Sequence, residues 1–547
     1  MKNKYIIPSI LLTIVILFTS CLKDLDVIPK DPDNILAGNL NDDPAYLEQV
    51  LGKIYASFII PGQGDNGESD INVDGPQVDF FTTMRALWNL QEITTDEAIC
   101  AWSDAGIADL NTQTWSPENV FLTALYQRLG LSITYANEFI RFTSELTDPD
   151  VIRYNAEARF LRALAYYWHM DLFGNPPFTT EEDGVGNFFP EQLDPNLSVA
   201  RIKLFNYITS ELHSIEDDLG EPGFSYPQAD KAAAWMLLAR LYLNAEVYTG
   251  TAKWDSCIIY CERVIDSGKY SLATDYRQNF CADNDGFSNP EMIFAWAQDG
   301  FHTQRPVGTT FIIQSSSDAT YIRSEDYHGL TTNPNWNGNR ATKQFLNVLV
   351  DTLTIYGGFD IPEDDTIFAQ CPDGRVFLRQ KETINIPSSS ASGNYGIGVY
   401  KFTAKLTNGT FPAGFNLEFA NTDFPVFRLA DAYLMRAESN YNLGNLSEAV
   451  ADINIIRQRA YGDDSGNITT GDLTDQFILD ERGKEFYYEA QRRTDLVRFG
   501  KFTDGDYNWA WKGGVYDGVN TASYRNVFPM PGAEVSANPN ITQNPGY

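Results

Sequence analysis

Basic charge is scarce in this chain: 40 Lys and Arg stand against 73 Asp and Glu, a formal net charge of −33. A nucleic-acid partner needs clustered Lys and Arg to neutralise phosphate, so that class is excluded. The same acidity disfavours an anionic polysaccharide and favours a neutral ligand. Histidine is scarcer still. His169, His213, His302 and His328 are the whole complement, and they form no HExxH or comparable zinc pattern. Apart from Cys21, the six cysteines leave the odd set Cys100, Cys257, Cys261, Cys281 and Cys371, without the repeated spacing of a disulfide framework. Cys257 and Cys261 lie four apart on one helical face. Packing explains them better than metal binding, because no histidine is near to complete a site. A GxSxG nucleophile elbow and a phosphate-binding loop are also missing. Carboxylates are too abundant for their number to argue for a glycoside hydrolase, since some pair always falls at a suitable separation. That enzyme class remains the main alternative to a binding protein.

Long apolar runs are missing too, with one exception at the start. Lys2 and Lys4 precede a nearly unbroken run from Ile6 to Phe18, about 13 residues where a bilayer span needs roughly 20. Thr19-Ser20 then leads to Cys21. Charged region, apolar region and small-residue cleavage site follow in the order of an export signal. Phe18-Thr19-Ser20-Cys21 resembles a bacterial lipobox with Phe in the place of the usual Leu. Residues 1–20 are therefore expected to be a lipoprotein signal peptide, and Cys21 the lipid-bearing first residue of the mature chain. An ordinary secretory signal with an incidental cysteine is the other reading, and it too exports the protein. Residues 21–40 are acidic and proline-containing, as suits a lipid-anchored tether. The acidic residues after Cys21 resemble the surface-export signal of one group of Gram-negative bacteria. The lipid is expected to be the only contact with the membrane.

What the chain has in quantity is apolar and aromatic residues. Hydrophobic residues make up 43% and charged ones 21%, enough to bury a core. The 10 Trp, 29 Tyr and 34 Phe either pack helices or stack on the apolar faces of sugar rings. Apolar spacing predicts helices in pairs: about 118–145 with 150–172, about 228–248 with 253–266, and about 427–442 with 447–460. A further helix is expected over Thr474 to Phe499. The two later pairs resemble tetratricopeptide units, which must stack to bury their faces. Residues 60–117, about 275–425 and 500–547 are rich in Gly, Asn, Asp, Ser, Thr and aromatics instead, and loops of that length are uncommon unless functional. The fold class expected is mostly α: a tetratricopeptide-like helix-pair scaffold of about four units with an irregular loop-rich cap carrying short strands. Residues 41–547 form a single intertwined domain in this reading. Its scaffold lies at about 41–60, 118–172, 200–270 and 427–500, and its ligand-binding cap at about 61–117 and 275–425.

Four stretches then carry a resemblance. They are Ala156-Glu157-Ala158-Arg159-Phe160-Leu161-Arg162-Ala163-Leu164-Ala165-Tyr166-Tyr167 with Asp171-Leu172-Phe173-Gly174; Arg428-Leu429-Ala430-Asp431; Asp480-Glu481-Arg482-Gly483-Lys484-Glu485-Phe486 with Arg492-Arg493-x-Asp495-Leu496-x-Arg498-Phe499-Gly500; and Phe528-Pro529-Met530-Pro531 with the tail Asn538 to Tyr547. Together with the lipobox they resemble the SusD/RagB family of outer-membrane nutrient-binding lipoproteins, from end to end and in the family's order. The resemblance implies a glycan-binding lid on a SusC-like TonB-dependent transporter, located at the cell surface. Such a lid captures oligosaccharides and passes them on without covalent chemistry.

A narrower likeness covers Arg85-Ala86-Leu87-Trp88, Gln91 to Glu97 and Cys100-Ala101-Trp102-Ser103-Asp104. It resembles the starch-binding founder of the family, in which an arginine and a tryptophan seventeen residues downstream help to cradle a curved α-glucan. Arg85 and Trp102 have that spacing. An exposed ring stacks on a glucose face and a guanidinium donates to hydroxyls. Trp102 as a core ring, and Arg85 paired with Asp96 or Glu97, are the competing readings. Asp104 is counted with the pair. Trp296, Tyr321, Tyr327 and Trp336 lie in loop-like sequence, and two of the four are expected to complete the arc. Asn333, Asn335, Asn337 and Asn339 either contact hydroxyls or make turns, with turns the safer assignment. Starch or malto-oligosaccharides are the expected ligand, with fructan or dextran next. Asp283 and Asp285 resemble the start of a calcium loop but lack its twelfth-position Glu, so structural calcium is a minor expectation and a plain turn the stronger one.

Overall fold

The computed structural model describes residues 43–62, 69–71, 81–184, 189–286, 288–350 and 371–547. The expected signal peptide, Cys21 and the tether lie outside the described residues. The chain divides into Met1–Glu48 and Gln49–Tyr547, and the second unit holds the fold. The elements run α1 (Pro44–Ala56), α2 (Thr83–Trp88), a π-helical turn at Asn89–Ile93, β1 (Ile99–Cys100) and α3 (Ile107–Thr112). Then come α4 (Val120–Thr143), α5 (Pro149–Leu172), α6 (Leu197–Ile215), α7 (Lys231–Leu243), α8 (Ala245–Thr249) and α9 (Trp254–Asp266). The cap comes next with β2 (Met292–Trp296), α10 (Gly308–Ser316), α11 (Ser324–Tyr327), β3 (Asn339–Arg340), α12 (Lys343–Leu349), β4 (Leu378–Gln380), β5 (Ile397–Val399) and β6 (Phe424–Arg428). Helices return as α13 (Leu429–Leu443), α14 (Leu446–Tyr461), α15 (Asp475–Phe486), α16 (Arg492–Arg498) and α17 (Gly532–Ala537).

Local chemistry sets the helix ends. The Asn119 side chain accepts from Phe121 N at the start of α4. Asp148 accepts from Asp150 N and Val151 N ahead of Pro149 in α5, so one side chain satisfies two orphan donors while proline takes the position that needs none. Helix α13 stops at Gly444, whose φ of 82° is the left-handed conformation that glycine adopts without a Cβ clash. Helices α4, α5, α6, α7, α9, α13 and α14 pack in succession, each on the next. Their contacts use residues at helical spacing: Ala156, Phe160, Ala163, Leu164 and Tyr167 of α5 are all buried. Each large apolar side chain buried this way contributes about 1.5–3 kcal/mol. Ala233, Leu237 and Leu238 of α7 are buried, α9 packs on α7, and Cys257 and Cys261 of α9 are free, buried thiols, with Cys257 Sγ 3.9 Å from Met435 O of α13.

The molecule is mostly helical, and the cap is an insertion in the helical stack. Strands β2 and β6 pair antiparallel, Met292 opposite Arg428, so the cap leaves and re-enters the scaffold at one small sheet while α9 packs directly on α13. Two more antiparallel pairs, β1 with β3 and β4 with β5, organise the cap itself.

The single helix expected over Thr474 to Phe499 is two helices. Between α15 and α16, Tyr488 and Ala490 have φ of 64° and 57°, a left-handed backbone that costs non-glycine residues energy. Buried carboxylates hold it there. Glu97 Oε2 accepts from Tyr488 N at 3.0 Å, and Glu92 Oε1 accepts from Ala490 N at 2.6 Å.

Candidate functional site

The segment that carries Arg85 and Trp102 is built rigidly from below. Thr82 caps α2 by accepting from Arg85 N at 3.1 Å. After the π-helical turn, Asp96 forms a two-pronged ion pair with Arg492, at 2.9 and 2.7 Å, and accepts from Tyr507 Oη at 2.6 Å. Glu97 lies 3.8 Å from the same arginine. Both acids thus face Arg492, and the Arg85 guanidinium stands 4.4 Å from the Phe311 ring centre and 5.8 Å from that of Trp102. Burial pushes the Glu97 carboxyl up to about 7 and raises that of its neighbour Glu92 well above the carboxylate range.

Strand β1 then pairs with β3, Ile99 opposite Arg340 and Cys100 opposite Asn339, and Ala101 N donates to Gly338 O at 2.9 Å. Arg340 ties the pair from inside by donating to the carbonyls of Ile99, Gly338 and Ala391 at 3.3, 3.2 and 2.9 Å. Burial lowers its guanidinium to about 10 and lifts the Cys100 thiol to about 11, so that cysteine is inert packing.

This ladder delivers two indoles to one open cleft of about 680 Å³ lined by Arg85, Trp102, Ser103, Asp104, Asn333 and Trp336, with Ala101 and Pro306. Trp102 Nε1 donates to Trp336 O at 3.0 Å, and Trp336 Nε1 donates to Asn333 O at 2.7 Å. Both polar edges are therefore satisfied by backbone carbonyls. The rings lie 6.2 Å apart and are inclined by 52°. Both tryptophans are half-buried, so the reading of Trp102 as a fully enclosed core ring does not hold. Asn333, Asn335 and Asn337 have φ of 49°, 63° and 52°, the left-handed backbone that Asn tolerates better than most residues. Their principal duty is the turn that carries Trp336. Gly338 is there for space: a Cβ would lie 2.6 Å from Trp102 Cζ2.

Of the four aromatics expected to complete the arc, Trp336 alone is among the described lining of the cleft. Trp296 is a correction. It is 2% exposed and stacked between Phe58 and Phe424, with ring centres at 5.7 and 5.8 Å and both interplanar angles 20°. Strand β2 buries all five of its residues, which leaves that indole no open face. Tyr327 is half-buried, packs on Tyr400 at 4.8 Å, accepts from Arg379 Nη1 at 2.5 Å, and is not among the described lining of the cleft. Tyr321 is half-buried, with its backbone N held by Asp318 Oδ1 at 2.5 Å, and it too is not among the described lining of the cleft. Sequence reasoning missed Phe311, the ring beneath Arg85, because α10 buries every one of its residues and so shows no amphipathic signal. Asp283 Oδ1 accepts from Thr407 N and Oγ1, both at 2.9 Å, and Asp285 Oδ1 accepts from Ser288 N at 3.1 Å. Both act as loop and turn acceptors. Among the described residues no group of three or more His, Cys, Asp or Glu is placed to hold a metal ion, so calcium rests on sequence spacing alone.

Stacked helix pairs, an inserted irregular cap and an open aromatic cleft define the class: a helical scaffold that carries a binding cleft. The chain belongs to the SusD family, as a full-length relative shows, and a family model of that description matches residues 295–547. It is 34% identical to the starch-binding protein SusD of Bacteroides thetaiotaomicron, over 100% of both chains. A SusD superfamily protein of Bacteroides thetaiotaomicron has the same fold, with a TM-score of 0.66 and 18% identity over 92% of this chain and 99% of that one. Surface glycan-binding protein A of the same species, solved in complex with laminarihexaose, aligns with a TM-score of 0.63 and 18% identity over 91% of this chain and 99% of its own.

Proposed function

We propose that the chain is a non-catalytic α-glucan-binding lipoprotein of the outer-membrane surface, anchored through Cys21. It captures starch or malto-oligosaccharides and delivers them to a SusC-like TonB-dependent transporter. The carrying observation is the pair of indoles, inclined by 52° with their N–H groups already bonded. Two inclined planes make a concave floor that matches successive glucose rings of a curved chain better than a flat ribbon. Arg85 and Asp104 at the wall supply a donor fork and an acceptor for hydroxyls. The full-length relationship to a starch-binding protein supports the same ligand. Hydrolysis by paired carboxylates needs two acids about the scissile bond, and the described lining of the cleft holds one, Asp104. The aromatic loops serve the glycan in this reading, and the helices serve the transporter interface.

Affinity electrophoresis through starch, pullulan, levan, dextran and xylan tests the proposal, beside Trp102→Ala and Trp336→Ala. Retardation by starch and pullulan is expected, weakened roughly three- to tenfold by either substitution, from about 0.5–1.5 kcal/mol per aromatic contact. Retardation by levan or dextran instead keeps the role and discards starch. Release of reducing sugar that is lost with one carboxylate substitution overturns the non-catalytic assignment.

A further inference from the structure

Beyond the rim of the cleft the cap turns three large apolar side chains to solvent. Phe301, Phe411 and Leu417 are 50%, 46% and 51% exposed. Single exposed apolar residues are ordinary, but grouped ones call for an explanation. These three are grouped, because the turn at Gly300 and the loop over 406–419 are bonded to each other. Asn416 Nδ2 donates to Gly300 O at 2.7 Å, and a Cβ on Gly414 would stand 3.8 Å from Phe301 Cζ. Phe411 stacks on Phe415, with ring centres 4.7 Å apart and planes inclined by 24°, so the exposed ring is held in place.

The same loop runs along the backbone that leads into the cleft. Phe411 lies against Gly329, where a Cβ would collide with Cε1 of the ring. Leu417 O accepts from Thr331 N at 2.8 Å and from Thr332 N at 3.0 Å. Asn333, the next residue, lines the cleft and accepts from the Trp336 indole. Thr331, Thr332 and Asn333 are all exposed. Exposed residues therefore lead step by step from the tryptophan pair to Leu417 and Phe411. Even fully extended, the four steps from Gly329 to Asn333 span no more than about 14 Å.

We propose that this strip is an outer subsite of the cleft, on which a glucan chain leaving Trp336 lays its further rings; the proposal rests on the glucan reading of the cleft. A phenyl ring has no polar edge to satisfy and offers a flat apolar face to a sugar ring. Held by Phe415, the Phe411 ring loses little conformational freedom on binding. The exposed Thr331 and Thr332 hydroxyls and the Asn333 amide lie along the way to bond sugar hydroxyls. A protein partner fits less well. Stable interfaces bury about 800 Å² on each side, and three half-exposed side chains fall well short of that, whereas one sugar ring needs one ring beneath it. The strip therefore favours chains longer than the cleft alone holds.

Calorimetric titration of the full-length chain with maltotriose and with a long linear maltodextrin tests this. Phe411→Ala with Leu417→Ser is expected to leave the maltotriose affinity and the melting temperature unchanged and to weaken the long chain roughly three- to tenfold. Phe411→Tyr keeps the ring and is expected to bind the long chain as the parent does. An equal loss for both lengths overturns the outer subsite, since the substitutions then act through the cleft. Unchanged binding of the long chain overturns it in favour of a protein occupant. A parent chain that binds neither length overturns it together with the cleft reading, so the two failures are distinguishable.

Discussion

Two tryptophans and one glycine determine the shape of the cleft. Trp102 donates to the Trp336 carbonyl and Trp336 to its own loop, so ring orientation follows from backbone position. Gly338 makes the approach possible, since a methyl group there would lie 2.6 and 2.7 Å from two atoms of the Trp102 indole. Gly338→Ala is therefore expected to displace that ring and weaken glucan binding about as much as Trp102→Ala, while the helical far-ultraviolet signal stays unchanged. Binding and circular dichroism measured on the same sample check this. Retained affinity would show that the ring has room to move without loss. The Arg85–Trp102 spacing was readable at this scale. Phe311 beneath them was not, because a ring in a wholly buried helix leaves no periodic trace.

At the scale of elements, the most recognisable motifs turn out to be the internal bracing of the fold. Glu485 of α15 is fully buried and bonds Arg428 at the end of β6, at 2.5 Å, and Arg375 at 3.2 Å, and it also pairs with Arg459 of α14. Arg482 bonds Asp495 of α16 at 2.8 Å and Asp431 of α13 at 3.2 Å. The arginines hold the Glu485 carboxyl far below the ordinary range against the opposing effect of burial. Replacing that charge takes one carboxylate from three buried guanidiniums at once. Arg375 keeps Asp373 and Glu481, Arg428 keeps Glu291 and Glu489, and Arg459 keeps Glu291, so the buried cluster loses one negative charge. Glu485→Gln is expected to destabilise the protein by about 3–5 kcal/mol, measured by denaturant unfolding, and a loss below about 1 kcal/mol would contradict this bracing role. The break between α15 and α16 belongs here as well. Helical spacing continued through it, and Glu92 and Glu97, some four hundred residues away in sequence, hold Tyr488 and Ala490 out of the helix.

For the whole molecule, buried acids of opposite behaviour set the response to pH. Burial raises Glu97 and Asp423 to about 7. At these two groups the folded state therefore holds more protons than the unfolded chain between their ordinary values and about 7, and their contribution grows as pH falls through that window. Glu485, Asp495 and Asp373 are depressed by their arginines. Their contribution is complete above the ordinary carboxylate value and is lost as pH falls through their folded values. The melting temperature is expected to rise between about pH 7.5 and 6.5. Below that, buried neutral His169 and His328, lowered to about 3, bind protons only when unfolded and oppose the gain, and stability falls below about pH 4. Calorimetry across that range decides it. A monotonic fall from neutrality would show that the raised acids do not matter.

Periodic and local features were determined by sequence alone: the three helix pairs to within a few residues, apart from the broken end of the second, and the mostly helical class. Each depends on neighbours a few positions apart, so it survives without knowledge of the fold. Tertiary structure decided which aromatics are open. Trp296 and Trp336 sit in similarly irregular sequence, yet one is stacked between two phenylalanines and the other stands in a cleft. That difference comes from pairings across more than a hundred residues, β2 with β6 and β1 with β3. A side chain's exposure is a property of what the distant chain places over it.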